Sequence, residues 1–595
     1  MNTLETDVLV VGSGPAGGTM ALALASYGID VTVINRYRWT SPTPRAHITN
    51  QRTMEILRDF GLEDAALEDA APQEYMANSV FCDSLAGQEF GRVLAWGNHP
   101  QRKADYTMAS PSSMCDLSQT YMEPLLVSNA LKRGAKIRFN TTYTSFEETT
   151  DGVIVQADDT ETGAPLQIKV KYLVGADGGN SMVADQAGLP FEGAMGIAGS
   201  MNIEFEADLS ELVAHRPSVL YCVIQPGSGV GGVGMGIVRM VRPWNKWLIV
   251  YGYDLEAGPP EMTDAYATNI IRELTGLPDL EPKITGTSLW TVNNYWATEL
   301  SKGRVFCVGD AVHRHPPTNG LGSNTSMQDS YNLAWKLAFV LKGQAGPALL
   351  DSYNAERALV AEQIVSRAIR SIQEYGPIFG ALGLGPDVPP EQAATALSTL
   401  AAGNDQGRAR RSALRAALDA KSYEYNAHGV ELNQRYASSA ALADTTAMPA
   451  PAGAGQDPEL YHIPTSTPGA KLPHAWVEAG TKLVSTLDLA GQGRFTLLTG
   501  IGGAGWVAAA KAVSAEHDVP LEACVIGVGQ DYQDPYGDWQ NLREVDEDGC
   551  ILVRPDGYVA WRQMSLGDAP KAALSAALQS ILSRKVDTRV AEPAD

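Results

Sequence analysis

Gly12, Gly14 and Gly17 form a GxGxxG turn, with Pro15 and Ala16 inside it, directly after a short apolar run and before a stretch of small and apolar residues. Glycines at this spacing let the backbone turn tightly and approach a pyrophosphate, whose charge is stabilised by amides at the start of the following helix. A bare match is weak, and the strand-before, helix-after context gives it weight. The acid expected to bind a ribose at the end of the second strand is missing, because the chain reads Val33-Ile34-Asn35-Arg36 there. Asn35 can still hydrogen-bond a hydroxyl. A glycine turn kept only for packing therefore stays open as an alternative at this point. His313 and His315, two apart beside a proline turn, invite a metal reading, but no carboxylate or thiol at suitable spacing completes a ligand set, and no metal is expected.

The elements that would carry this turn can be read around it. Residues 7–11 form a buried strand, 16–27 a helix packed on a sheet and 31–34 a second strand, which together make the opening βαβ unit of a doubly wound fold. From 201 to 292 the chain becomes alternating, β-branched and rich in Trp and Tyr, as suits a mainly antiparallel sheet. Helical spacing returns at 331–341 and 356–372, and an Ala-rich charged helical stretch covers 393–418. Residues 441–456 are rich in Ala, Pro and Gly and read as a linker. Beyond them, 495–498, 523–526 and 551–553 read as strands and 504–515 as a helix. There is no internal repeat.

A chain of 595 residues exceeds what one core usually supports, so several domains are expected. The net charge of -23 opposes binding to nucleic acid or an anionic membrane. No run approaches the eighteen or more apolar residues needed to span a bilayer, and a first strand near residue 7 leaves no room for a leader, so a cytoplasmic protein is expected. The six cysteines are scattered without a CxxC pair, as expected of reduced structural thiols.

Two further segments narrow the cofactor. One is Tyr172-Leu173-Val174-Gly175-Ala176-Asp177-Gly178-Gly179-Asn180-Ser181, and the other is Gly303-Arg304-Val305-Phe306-Cys307-Val308-Gly309-Asp310-Ala311-Val312-His313. They resemble the "DG" and "GD" signatures of the single-component FAD-dependent aromatic hydroxylases, and all three motifs in this order form a specific combination. The similarity extends over nearly the whole chain. It is carried also by Pro44-Arg45-Ala46-His47, Asn50-Gln51-Arg52-Thr53-Met54-Glu55-Ile56-Leu57-Arg58, Val241-Arg242-Pro243-Trp244-Asn245-Lys246-Trp247 and His313-Arg314-His315-Pro316-Pro317.

The resemblance implies an α/β protein: a Rossmann-like FAD-binding domain, a β-sheet substrate domain and a thioredoxin-like C-terminal domain. The corresponding division is 1–200 for FAD, with a segment near 79–110 joining the substrate domain, then 201–294 for substrate. Residues 295–440 complete the FAD domain and add helices, 441–456 link, and 457–595 form the last domain. Without CxxC that domain should lack thiol redox activity. A homodimer is the family expectation.

The implied reaction is hydroxylation of a phenolic ring, ortho to its hydroxyl, by an electrophilic oxygen made from O2 on FAD reduced by NADH or NADPH. The resemblance assigns Asp310 to the FAD ribose region and Asp177 to FAD and the nicotinamide cofactor, with Asn35 and Arg36 at the end of the second strand. It lays the loop Pro316-Pro317-Thr318-Asn319-Gly320-Leu321-Gly322-Ser323-Asn324 against the flavin. Amides there, with the positive end of the next helix, would stabilise negative charge on the reduced ring. Arg45 and Gln51 would lie along FAD, Arg45 at a phosphate. Pro317 and Thr318 would line the pocket, and Arg242 would help NAD(P)H dock, a surface salt bridge being the alternative.

His47 is the implied base that takes the phenol proton, since imidazole titrates in the useful range, and the alternative is a structural histidine after a loop. Asp116 would polarise it, with a solvated or helix-capping aspartate as the alternative. Trp244 and Trp247 read as sheet packing. Two other functions are weighed: a tailoring hydroxylase of a larger phenol or hydroxypyridine, and an FAD-binding regulatory protein without turnover. A flavin-dependent halogenase is disfavoured because no WxWxIP-like segment is present.

Overall fold

The computed structural model describes residues 2–226, 235–385, 388–444 and 456–584, so most of the expected linker, 445–455, lies outside the described residues. The apolar run Val8-Leu9-Val10 is fully buried because its strand, Asn2–Val11, sits in the middle of a sheet. Strand order is Ser301–Lys302, Val305–Cys307, Pro165–Gly175, Asn2–Val11, Val31–Ile34 and Lys136–Arg138. The last five run parallel. Helix Pro15–Ser26 packs on this sheet between helices Gln119–Lys132 and Gly322–Leu341, which explains why its residues are buried almost all round.

Register decides what this sheet can do. Val11 pairs with Gly175, and Gly175 with Cys307, so three adjacent strands end at one level. The chain leaves them as the glycine turn, as Asp177-Gly178 and as Gly309-Asp310. Open α/β sheets bind ligands at these carboxyl ends.

The second sheet is mainly antiparallel, in the order His313–Arg314, Lys283–Ala297, Phe191–Glu206, Lys246–Tyr253, Met235–Arg242, Leu220–Ile224, Asn78–Cys82 and Glu89–Leu94. Val238 and Met240 point into a core with Ile270, Ile271 and Leu274 of helix Asp264–Thr275, which covers one face. The alternating side chains, Ile237 and Arg239, are left for the other face.

The C-terminal sheet has the order Leu521–Val525, Phe495–Thr499, Cys550–Val553 and Val559–Gln563. Its first pair is parallel, joined through helix Ala504–His517, and the other pairs are antiparallel, the thioredoxin-like arrangement. Buried charges attach it. Arg554 donates to both Glu356 oxygens at 2.6 and 2.9 Å, Arg52 donates to the Asp556 carbonyl at 2.6 Å, and Lys471 reaches Glu55 at 2.8 Å.

Three details differ from the sequence reading. The helical stretch 393–418 is two helices, Pro390–Ala401 and Asp405–Ala420, because the Asn404 side chain accepts the Gly407 amide at 2.9 Å and starts a new helix. The helix expected at 331–341 begins nine residues earlier, at Gly322. Strand Val559–Gln563 was not foreseen.

Candidate active site

The three glycines of the first turn differ in what they are for. Gly12 has φ +101° and a Cβ there would lie 2.3 Å from the Ala176 carbonyl oxygen, while one on Gly17 would lie 1.9 Å from that of Gly12. These two are demanded by the fold. A Cβ on Gly14 would meet only Glu123 Oε1, at 3.7 Å, so the space beside it is open. Helix Pro15–Ser26 begins there with no side-chain cap, leaving first-turn amides for an outside acceptor. Open space and unspent donors fit a dinucleotide phosphate.

Asn35 stands at the end of the second strand, donating to Ser13 Oγ at 2.6 Å and accepting the Tyr37 amide at 3.2 Å. Arg36 is exposed over the Tyr37 ring. Asp310 is exposed at the mouth of the third strand end. Asp177 is occupied by the chain: it accepts from Ser181 Oγ at 2.5 Å and the Val183 amide at 3.2 Å, and burial raises its pKa.

The loop 316–324 is pinned from both sides. Asn319, at φ 65°, donates to the Tyr423 and Glu424 carbonyls at 2.6 and 3.2 Å. Thr318 Oγ1 donates to the Ala368 carbonyl at 2.8 Å. Asn324 accepts the Asn50 amide at 3.0 Å and donates to the Ile48 and Gly320 carbonyls at 2.8 and 2.5 Å. With these side chains spent on the protein, Pro317 is left exposed, and helix Gly322–Leu341 opens beside Gly320 and Leu321 without a side-chain cap. Its positive end suits a reduced, anionic flavin ring.

Behind the loop, Asp329 accepts the Gly309 amide at 3.0 Å, His313 Nε2 at 2.8 Å and Arg357 Nε at 2.7 Å. His315 instead donates to the Pro316 carbonyl at 2.6 Å, and burial, with His313 adding to it, pushes its pKa down to about 4. The two histidines therefore serve different partners. Among the described residues no group of three or more His, Cys, Asp or Glu is placed to hold a metal.

Backbone pairing brings His47 to Asp116. Strands Ile48–Thr49 and Cys115–Asp116 pair with Ile48 opposite Asp116, and the Leu117 amide donates to the His47 carbonyl at 2.8 Å. His47 Nδ1 then lies 2.7 Å from Asp116 Oδ2. A carboxylate at Nδ1 holds the proton there and leaves the Nε2 lone pair as the basic site. Arg239, only 2% exposed at its side chain, reaches Asp116 Oδ1 at 3.5 Å and donates to the carbonyls of Pro44 and Arg45. Burial lowers the pKa of His47, the Arg239 charge lowers it further, and Asp116 only partly restores it. For Asp116, burial pulls the pKa upward, but His47 and Arg239 outweigh it and hold the carboxyl ionised. The result is a neutral imidazole with a fixed tautomer.

Not every expected residue joins this cluster. Gln51 is buried and spends its amide on the Tyr106 and Ser112 carbonyls and on His428, each at 2.8 Å. Arg242 lies over the Tyr121 ring and 3.6 Å from Asp69. Arg45 is exposed, and its backbone carbonyl is what Arg239 holds. Arg239 itself went unnoticed in the sequence. The available signal was a charge on the alternating strand Met235-Gly236-Ile237-Val238-Arg239-Met240-Val241-Arg242, where a buried arginine needs a carboxylate.

Residues 5–368 match the family described as FAD binding domain, and 465–584 match aromatic-ring hydroxylase, C-terminal. The 2,4-dichlorophenol 6-monooxygenase of Delftia acidovorans is 52% identical over 580 residues, which is 98% of this chain and 98% of that protein. The chain belongs to the FAD-dependent aromatic-ring hydroxylases. Another such hydroxylase, the phenol 2-monooxygenase of Pseudomonas sp. strain EST1001, is 50% identical over 96% of this chain and 92% of its own. The crystal structure of the flavin-dependent monooxygenase PieE in complex with FAD and substrate has a TM-score of 0.94 and 44% identity, covering 98% of this chain and 100% of that one. As an aromatic-ring hydroxylase this protein is a monooxygenase that takes FAD as cofactor, NADH or NADPH as reductant and O2 as cosubstrate.

Proposed function

We propose that the protein hydroxylates a simple phenol next to its hydroxyl group, with His47 as the base that takes the phenol proton. The observation that carries this reading is the buried chain Arg239, Asp116, His47, which ends in a neutral imidazole nitrogen. Removing the phenol proton raises the electron density of the ring at the ortho and para carbons, which is what attack by an electrophilic oxygen requires. Bound and reduced FAD supplies that oxygen from O2.

Residues of this chain have the remaining tasks. Gly12, Gly14, Pro15, Ala16 and Gly17 cradle the pyrophosphate, Asn35 and Arg36 take the adenosine end, and Asp310 takes the ribose region, with Arg45 at a phosphate. The amides of Leu321 and Gly322 would serve the flavin ring, with the Gly320 amide turned to the Pro317 carbonyl, while Thr318 and Asn324 fix their position and Pro317 forms the pocket wall. Asp177 orders the turn that the cofactor passes. Arg242 takes no part, being engaged by Asp69 and Tyr121. The simple-phenol reading is favoured over a larger polyketide because the chlorophenol and phenol enzymes are 50–52% identical, whereas the tetracenomycin A2 enzyme of Streptomyces glaucescens is 32% identical. The reading includes a cytoplasmic homodimer, to be checked by light scattering.

The test is O2-dependent oxidation of NADH and NADPH by the FAD-loaded protein with a panel of phenols, with products identified by mass. A substrate-stimulated rate with a product heavier by one oxygen supports the reading, and no stimulation by any simple phenol overturns it.

A further inference from the structure

Three buried groups on the substrate side of the molecule have no task in the chemistry above. Tyr375 and Tyr425 bring their hydroxyls to 3.4 Å of each other, and Cys222 Sγ lies 3.7 Å from the first and 3.5 Å from the second. Hydroxyl pairs that bond well sit at about 2.5–3.0 Å, and sulfur is a weak partner. Tyr375 is 6% exposed and Tyr425 1%, so bulk water does not serve them. Burial keeps both hydroxyls protonated and pushes the thiol up to about 11, so all three remain donors.

Their position matters as much as their chemistry. On the paired strands Leu220–Ile224 and Met235–Arg242, Leu220 stands opposite Arg239 and Cys222 opposite Ile237. Strand alternation therefore puts Cys222 on the same face as Arg239, two residues or about 7 Å further along. The opposite face is filled by helix Asp264–Thr275. Tyr425 directly follows the two carbonyls that hold Asn319 of the flavin loop, and its ring stands edge-on to Trp96 at 5.3 Å. The trio thus lies on the sheet face that carries Arg239 and is tied through Tyr425 to the segment that holds the flavin loop.

We propose that Tyr375, Tyr425 and Cys222 form a polar end wall of the substrate pocket that binds an electronegative substituent, chlorine or oxygen, on the ring edge opposite the hydroxyl facing His47. This assignment rests on the phenol reading above. The wall makes these residues determinants of specificity: an acceptor group satisfies donors that otherwise have only each other, and a methyl group of the same size does not.

The experiment compares 4-chlorophenol and hydroquinone with 4-methylphenol, using wild type, Tyr375→Phe, Tyr425→Phe and the double variant, all FAD-loaded. The measured quantity is each ligand's kcat/KM relative to that of 4-methylphenol, with Kd ratios from calorimetry as a readout independent of turnover. Losing the donors should lower both ratios roughly tenfold in the double variant. Ratios within twofold of wild type would overturn the end wall. Should the double variant not fold, each single variant is expected to lower the ratios roughly threefold, and unchanged ratios in both overturn the proposal equally. If no phenol stimulates NAD(P)H oxidation by the wild type, the phenol reading fails by itself, and the calorimetric ratios still decide the wall.

Discussion

Arg239 reaches the oxygen of Asp116 that His47 leaves free, 3.5 Å away, while His47 takes the other oxygen at 2.7 Å. One carboxylate is thereby shared between a permanent cation and an imidazole. Because the guanidinium already compensates the carboxylate, the imidazole is not forced to protonate, and the pair serves to orient the ring. Arg239→Gln removes the cation that depresses the His47 pKa. The acid limb of the kcat/KM profile should move to higher pH, and a limb that stays in place would show that the base does not feel Arg239.

His47→Asn keeps a polar group of similar size but no base. Hydroxylation should fall by about 10²–10⁴-fold, the usual span for a general base, while the protein stays yellow. Product analysis against NAD(P)H consumption checks it. Turnover equal to wild type would remove His47 from the reaction.

With His47 as the proposed base, its neutral form would be the active one in the wild type, and its pKa lies below the ordinary imidazole value. Activity should therefore persist below pH 6.5 and fall only on further acidification. An acid limb centred above that value would contradict the burial-driven shift.

Gly14 and Gly17 should separate cofactor binding from folding. Gly14→Val projects into open space, so the apoprotein should keep its melting temperature and lose FAD affinity. Gly17→Ala puts a methyl 1.9 Å from the Gly12 oxygen and should destabilise the apoprotein itself. Flavin content and apoprotein melting curves distinguish the two.

Arg554→Met would take the cation from Asp556 at the buried junction with the C-terminal domain and leave Glu356 with Lys336 as its only cation among the described residues, at 2.8 Å. Breaking such a pair from one side costs about 3–5 kcal/mol. Denaturant unfolding of the variant measures it, and a loss below about 1 kcal/mol would mean that Lys336 or water compensates the carboxylates.

Acid should weaken the same region through His474, whose pKa burial, with Lys471 adding to it, pushes down to about 4 from 6.5. A histidine with a depressed folded pKa stabilises fully above its unfolded value, and that contribution is lost as pH falls from 6.5 toward 4, because the unfolded chain then binds the proton more readily. The melting temperature should drop across this window, and less steeply in His474→Gln.

What could be read from the sequence alone was local. The glycine turn, the Asp177-Gly178 and Gly309-Asp310 signatures and the periodicity of strands and helices are each set within about ten residues, where backbone sterics and side-chain spacing act directly. Even the break at Gly403-Asn404 was written there, in the preference of Asn for a helix start. Their order, through its resemblance to a known family, was enough to name the cofactor and the reaction class. The tertiary structure decided how those pieces are used. Arg239 and Asp116 are 123 residues apart, and Cys222 and Tyr425 are 203 apart. Strand alternation says which side chains share a face, but not what packs across from it. That choice depends on burial, which turned Gln51 into a structural clamp, left Gly14 open and gave His47 its partner.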